Sequence, residues 1–131
     1  MKIGVVGNRE KWSYPEVKRW LDELNVYKSD GLITGGAEGV DTYAQMYAKE
    51  IGANILIYYP DPKRPSPLRY FERNQKIAMM CDVLIAFNLK SKEVSGTMNT
   101  VTIAKGIGKF ILLIEKDDKG VMTLKKINYE D

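Results

Sequence analysis

The segment Leu32-Ile33-Thr34-Gly35-Gly36-Ala37-Glu38-Gly39-Val40-Asp41 runs from an apolar strand through a glycine cluster into an amphipathic helix. This order places backbone N–H groups at a helix N-terminus, where the helix dipole also favours negative charge. The segment therefore predicts one unit of an α/β fold and a site for a phosphate-bearing ligand. A single glycine loop is weak evidence for a phosphate site. The prediction therefore depends on whether other segments place compatible groups at the same edge of the sheet.

The rest of the chain repeats the alternation of short apolar strands and helical patterns. Parallel strands are predicted at residues 3–6, 31–34, 53–59, 83–87 and 110–114. A hairpin-like turn at 117–120 predicts an antiparallel edge strand over 121–127. Because crossovers between parallel strands are right-handed, we expect a mainly parallel sheet of about five strands with helices on both faces.

Local signals define the helices between these strands. Ser13 and Glu16 have capping-box spacing and Pro15 lies between them, which predicts a helix start. In that helix Trp20 belongs to the apolar stripe, so we expect it in the core. A later helix, over about 68–80, is expected to turn Phe71, Ile77 and Ala78 inward.

Composition limits the possible classes of function. The chain has 131 residues, which predicts a single domain over 1–131. It has one cysteine and no histidine. These counts exclude a disulfide framework, the Ser-His and Cys-His mechanisms and the usual zinc ligand, so we predict no metal and no cofactor. Because no apolar run reaches membrane-spanning length, we expect a cytoplasmic protein without a membrane partner.

The positive charge is concentrated in one stretch. The formal net charge is +3, and residues 61–76 contain five basic side chains against Asp61 and Glu72. This stretch is interpreted either as a solvated loop and helix face or as a positive rim above an anion site.

The carboxyl ends of parallel strands meet at one edge of a sheet, where ligands bind near the reversal of strand order. Three predicted strands deliver polar or glycine-rich segments to that edge. The predicted ligand-binding residues are Gly7, Asn8, Arg9, Gly35, Gly36, Ala37, Gly39, Asp41, Arg73, Asn74, Ser95, Gly96 and Thr97. Two glycine-bearing helix N-termini and an arginine thus arrive together, which favours a phosphate site over a lone tight turn.

Several motifs also follow one another in a recognisable order. They are Asn8-Arg9, the Thr34–Asp41 loop, Arg73-Asn74, Asp82 before a strand, and Ser95-Gly96-Thr97. The set resembles the SLOG superfamily, which includes the DNA-processing protein A core, the Lonely Guy phosphoribohydrolases and the molybdenum-cofactor carrier proteins. The resemblance covers residues 1–114. It implies a doubly wound, Rossmann-like three-layer sandwich, a homodimer and a nucleotide-derived small-molecule partner.

The sequence differs from the Lonely Guy motif at two positions that bear on catalysis. Arg73 lies where the arginine of Lonely Guy enzymes would align, and Gly96-Thr97 match their motif. Asn99 and Thr100, however, stand in the positions of that motif's two glutamates. Neither an amide nor a hydroxyl side chain can act as a general base in the way a carboxylate does. The sequence therefore gives less support to cleavage of a glycosidic bond by the Lonely Guy mechanism. Glu38 and Asp41 remain as candidate catalytic substitutes.

Structural roles compete with binding for most of these residues. Arg9 could pair with a carboxylate, the three loop glycines could only permit a tight turn, and Asp41 could brace its own helix. Three hypotheses follow for the function. They are a nucleotide-binding sensor module, a hydrolase that cleaves a nucleotide's glycosidic or phosphate linkage, and a single-stranded DNA-binding protein that uses the basic stretch.

Overall fold

Six strands form one sheet in the computed structural model, which describes residues 1–129. The strand order is β3-β2-β1-β4-β5-β6. The strands are β1 Lys2–Gly7, β2 Gly31–Gly35, β3 Ile55–Tyr58, β4 Val83–Leu89, β5 Phe110–Lys116 and β6 Met122–Ile127. The first five are parallel and β6 pairs antiparallel with β5. The predicted parallel sheet and its antiparallel edge strand are confirmed.

Four α-helices cover the two faces of the sheet. They are α1 Tyr14–Glu23, α2 Val40–Ile51, α3 Leu68–Met80 and α4 Gly96–Gly106. One core cluster joins α1 and α2 to the sheet, and a second joins α3 and α4 to its other face. The fold is therefore a Rossmann-like three-layer sandwich, as expected.

The change in strand order locates the site. The chain steps outward from β1 to β2 and β3, and then returns to pair β4 with the other side of β1. Gly7, the last residue of β1, lies opposite Phe87 of β4. The crevice above this pair is the topological switch point at which doubly wound folds bind ligands.

Most of the local helix signals are confirmed. Ser13 caps α1 with the complete capping box, in which its side chain and that of Glu16 bond each other's backbone N–H. Trp20 is partly buried and packs against the first core cluster. Ile77 and Ala78 face inward from α3 as predicted.

The expectation for Phe71 is wrong, since its side chain is 42% exposed. Phe71 belongs to the first turn of α3, and it lines a surface groove together with residues at the start of α4. An apolar residue at helical spacing therefore stays at the surface here. Within residues 1–129 no helix is both long enough and apolar enough to cross a bilayer.

Candidate functional site

A cavity of about 630 Å³ lies at the carboxyl ends of β1 and β4. Most of the predicted ligand-binding residues line it: Gly7, Asn8, Arg9, Ala37, Asp41, Arg73, Asn74, Ser95, Gly96 and Thr97. Gly35, Gly36, Gly39 and Glu38 are outside this lining. The structure therefore brings together the ends of two strands, the starts of α2 and α4 and one side of α3 around one cavity. Part of the glycine loop lies outside this lining.

Sequence reasoning missed several residues of the lining. Glu10, Lys11, Tyr70, Lys92 and Thr100 also face the cavity. Lys92 and Lys11 lie in the loops that deliver Ser95 and Arg9, so their proximity to these residues was an available signal. With Arg9 and Arg73 they give four cationic side chains against Glu10 and Asp41. This balance favours an anionic ligand.

The start of α4 offers unpaired backbone donors to the cavity. Ser95 is the N-cap, and its hydroxyl accepts the Met98 N–H at 3.0 Å. The first intrahelical bond runs from Asn99 N–H to the Ser95 carbonyl. The N–H groups of Gly96 and Thr97 therefore precede the helical hydrogen-bond ladder, and both residues line the cavity. Such a helix start binds anions directly.

Asn8 and Asn88 hold this helix start in place. Asn8 Nδ2 donates to Asn88 Oδ1 at 2.9 Å, and Asn8 Oδ1 accepts from Trp12 Nε1 and the Leu89 N–H. Asn88 Oδ1 also accepts from the Ser95 hydroxyl at 3.1 Å. Because its amide is occupied by protein partners, Asn8 positions the cavity wall through these bonds.

Asn74 makes a similar link on the other side of α4. Its Nδ2 donates to Asn99 Oδ1 at 2.9 Å, and its Oδ1 accepts from Arg73 Nε at 2.9 Å. Asn99 occupies one of the positions at which the Lonely Guy motif has a glutamate. Here its amide oxygen orients Asn74, which in turn fixes the Arg73 side chain.

The glycine loop before α2 is shaped by close approaches. Gly39 has φ +78°, and a Cβ there would lie 2.5 Å from the Arg9 carbonyl oxygen. A Cβ on Gly7 would lie 2.5 Å from Val40 Cγ2. These contacts show that the start of α2 is pressed against the end of β1, so at both positions glycine allows dense backbone packing.

Gly35 makes room for two charged groups. A Cβ at this position would lie 2.6 Å from Arg73 Nη1 and 2.8 Å from Asp41 Oδ2. The guanidinium and the carboxylate therefore both lie against the bare backbone at the end of β2. Gly36 is covered instead by the ring of Tyr59, whose Cδ1 would lie 2.2 Å from an added Cβ.

Asp41 is a buried acid, 4% exposed, on the first turn of α2. Its Oδ2 accepts the Ala37 N–H at 3.3 Å. Burial raises the pKa of Asp41 to about 7, although this hydrogen bond and the nearby Arg73 act in the opposite direction. The Asp41 carboxylate thus accepts a hydrogen bond from the Ala37 N–H, a group that we predicted to bind a ligand phosphate. Its raised pKa places its protonation change near neutral pH.

Arg73 is the partly buried cation of the site. Its side chain extends from α3 towards Gly35 and Asp41, with its guanidinium carbon 6.0 Å from the Tyr70 ring centre. Burial lowers the pKa of Arg73 from its ordinary value, and the Asp41 charge opposes this change. Arginine remains protonated at neutral pH, so Arg73 presents a positive charge to the cavity.

The loop after β1 is anchored from β5. Lys116 Nζ lies 3.0 Å from Glu16 Oε2 and 4.3 Å from the centre of the Trp12 ring, and it donates to the Lys11 carbonyl oxygen. Partial burial opposes ionisation of Glu16, but hydrogen bonds from Lys116 and Ser13 lower the pKa of its carboxyl. These contacts hold the loop that carries Arg9.

A shallower apolar groove of about 530 Å³ adjoins the cavity. It is lined by Pro67, Leu68, Tyr70, Phe71, Asn74, Ser95, Gly96 and Asn99. Tyr70, Asn74, Ser95 and Gly96 also belong to the cavity. A polar, cationic compartment thus continues into an aromatic one across the start of α4.

No protein-family model matches the chain, and no curated protein matches it. Similar solved structures do exist. The X-ray structure of TM1055, a structural genomics target, is 21% identical with a TM-score of 0.63, covering 84% of this chain and 71% of that one. DNA processing protein A from Helicobacter pylori, described by its single-stranded DNA binding mode, is 23% identical with a TM-score of 0.63, covering 86% of this chain and 64% of that one.

DNA processing protein A from Streptococcus pneumoniae is 21% identical with a TM-score of 0.72, covering 86% of this chain and 49% of that protein. This chain therefore spans less than two thirds of each of the two DNA processing proteins. At such identities the likeness shows a shared Rossmann-like fold, as the SLOG resemblance implied.

Proposed function

We propose that this protein binds a nucleotide or a nucleotide-derived phosphate ligand in the cavity at the carboxyl edge of the sheet, as a sensor or binding module. The observation that carries the proposal is the start of α4, where Gly96 and Thr97, whose N–H groups precede the helical hydrogen-bond ladder, line the cavity together with Arg73. A phosphate bound there would accept two backbone hydrogen bonds and meet a positive charge. The cavity volume is in the range of small-molecule sites.

The adjoining groove supports a nucleotide rather than inorganic phosphate. Tyr70 and Phe71 are each about two-fifths exposed and border the same helix start as the phosphate position. Aromatic side chains stack readily on bases, at about 1–3 kcal/mol per base. A phosphate at Gly96 and a base on the groove would belong to one ligand.

A thermal-shift screen tests this proposal. Nucleoside mono-, di- and triphosphates, cyclic nucleotides, NAD and ADP-ribose are added in turn, with adenosine and ribose as uncharged controls. Ligands that bind the native state raise the melting temperature by mass action. We expect at least one phosphate-bearing compound to do so while the neutral controls do not. The absence of any shift in the whole phosphate series would refute a nucleotide site.

Arg73→Ala locates the site. We expect the variant to fold and to lose the ligand-induced shift, because the charge that faces the phosphate is gone. Arg19→Ala is the matched control, since Arg19 is exposed on α1 and pairs with Glu23 away from the cavity. Wild-type ligand affinity in Arg73→Ala would exclude Arg73 from the site.

A hydrolase is the alternative that Asp41 favours. Asp41 is buried beside the cavity with a pKa of about 7, which suits a general acid or base at neutral pH. Glu38 is exposed and outside the cavity lining, so it is the weaker candidate. Chromatography of each incubated ligand separates the two functions. An enzyme releases a free base or phosphate and loses turnover in Asp41→Asn, whereas a binding module returns the ligand intact.

Binding of single-stranded DNA is the third hypothesis. The exposed Tyr70 and Phe71 lie close in sequence to Arg64 and Arg69, and a structural neighbour is described as binding single-stranded DNA. A basic groove with exposed aromatics is the arrangement that such binding uses. Here the aromatics line a groove that adjoins the cavity at the start of α4, which favours a small ligand that spans both.

A further inference from the structure

Asp41 is an acid placed inside a cavity that is otherwise suited to anions. Its carboxylate lies close to Gly35, and Arg73 Nη1 also lies close to that residue. It is almost fully buried, so water does little to screen its charge from a ligand in the cavity. An ionised Asp41 would therefore repel the phosphate that the rest of the site attracts.

The groups that face Asp41 come from several elements. They are the Gly7 N–H at the end of β1, the Thr34 hydroxyl at the end of β2, the Ala37 N–H in the loop before α2, and the Arg73 guanidinium from α3. The positive charge of Arg9, in the loop after β1, also acts on Arg73 and lowers its pKa. Glu10, Lys11 and Lys92 complete the charged lining of the cavity. Arg73 is thus the cation that Asp41 and a bound anion would share.

Burial is the cause that raises the pKa of Asp41, whereas the Ala37 N–H, Arg73, the Thr34 hydroxyl and the Gly7 N–H all lower it. Of these four groups, the Arg73 side chain is the one that a bound anion would draw away from Asp41.

We propose that Asp41 takes up a proton from solvent when an anion binds in the cavity, so that this site selects its ligand together with a proton. The proton adds to a carboxylate oxygen of Asp41. The positive charge of Arg73 is then no longer balanced by Asp41 and attracts the bound anion. This inference deepens the proposed function and depends on it. It makes Asp41 a specificity-determining residue, because neutralising the acid removes its repulsion of a highly charged ligand.

Burial already brings the pKa of Asp41 close to neutrality, to about 7, in the unliganded protein. A bound anion raises it further by like-charge repulsion and by competing for Arg73. Each unit of this additional rise changes anion affinity about tenfold once the pH exceeds both pKa values.

Sulfate is the probe, because it carries the same charge from pH 5.5 to 8.5 and so contributes no titration of its own. The melting temperature is measured against sulfate concentration at several pH values, with sodium chloride at matched ionic strength as reference. We expect the apparent sulfate dissociation constant of the wild type to rise at least about threefold from pH 5.5 to 8.5. Asp41→Asn should bind sulfate with little change across this range. Asp118→Asn, an exposed acid of the β5–β6 turn outside the cavity lining, should behave as the wild type.

A direct readout accompanies the affinity. The carboxyl carbon of Asp41 is followed by NMR, and its titration midpoint should move to higher pH when sulfate is added. A pH-independent sulfate affinity in the wild type, an unchanged midpoint, or a wild-type pH dependence in Asp41→Asn would each overturn the role of Asp41 and leave the anion site standing. If sulfate stabilises the protein no more than chloride at every pH, the anion site itself fails, and the proposed function and this inference fall together.

Discussion

Asp41 makes the stability of this protein decrease as the pH approaches neutrality. Its pKa is raised by burial to about 7 in the folded protein, against about 3.9 for an aspartate in an unfolded chain. Between these values the folded state binds more protons than the unfolded state. The free energy of unfolding therefore decreases as the pH rises from about 4 to about 7 and changes no further above that through this group.

Asp41→Asn should remove this decrease. We expect the variant to gain stability relative to the wild type as the pH rises through that window, by about 1–4 kcal/mol at pH 8. Urea unfolding of both proteins between pH 4 and 8 measures the difference, in which contributions from other carboxylates cancel. A constant difference across the range would mean that Asp41 titrates in the folded protein as it does in the unfolded chain.

Asn8 is a second residue whose loss has a definite cost. Asn8→Ala removes the acceptor of two buried donors, Trp12 Nε1 and the Leu89 N–H. An unsatisfied buried donor costs about 1–3 kcal/mol, so we expect a loss of about 2–4 kcal/mol in the free energy of unfolding. The exposed Asn54→Ala is the control and should change stability by less than about 0.5 kcal/mol. A loss in Asn8→Ala as small as in the control would mean that water replaces the missing acceptor.

These residues also show where sequence reasoning stops. Asn8 is predicted at the site because it follows a strand, Ser95 because it begins a helix, and Arg73 because the resemblance aligns it with a family arginine; all three line the cavity. The partners of Asn8 come from residues 4 and about 80 positions away, and nothing in the order of residues pairs them. The Asp41 carboxylate likewise turns towards its own loop, because a buried acid takes the nearest N–H donors.

At the scale of elements, the junction of β1 and α2 depends on Gly39. Gly39→Ala places a Cβ 2.5 Å from a backbone oxygen at φ +78°, where neither atom can move freely. We expect a loss of about 2–4 kcal/mol and a weaker ligand response, because α2 must move away from β1. Gly52→Ala is the matched control, since Gly52 has φ +71° in open space and should cost about 1 kcal/mol. Similar losses in unfolding experiments on both variants would show that the close approach at Gly39 has no cost of its own.

The strands and helices were predictable because buried strands appear as continuous apolar runs and helices as apolar residues spaced three or four apart. The capping box of α1 and the antiparallel β6 follow from local residues alone. The strand order depends on which edge each crossover returns to, and no local pattern records that choice. The prediction for Phe71 is wrong for a similar reason, since helical spacing identifies a face of the helix but not how far along it that face is covered.

At the scale of the whole molecule, the distribution of charge distinguishes the small ligand from nucleic acid. Affinity for single strands falls with salt in proportion to the phosphates that the protein neutralises, with a slope of about −0.7 per phosphate on logarithmic axes. Strand binding along residues 63–76, which carry Lys63, Arg64, Arg69, Arg73 and Lys76, would engage several phosphates and give a slope of about −2 to −4. A nucleotide held by backbone N–H groups and Arg73 would give a slope near −1 or shallower.

We therefore expect the nucleotide identified by the thermal-shift screen to lose less than about tenfold in affinity between 50 and 200 mM salt. Fluorescence polarisation with a labelled form of that nucleotide and with a labelled oligothymidylate measures both slopes in the same buffers. Lys63→Ala should leave nucleotide affinity unchanged, because Lys63 is exposed in the loop between β3 and α3 and lies outside the cavity lining. The opposite result would be a steep salt slope for the oligonucleotide that becomes shallower by about 0.7 in Lys63→Ala, together with displacement of the nucleotide by the oligonucleotide. That result would show that the site binds single-stranded DNA rather than a small ligand.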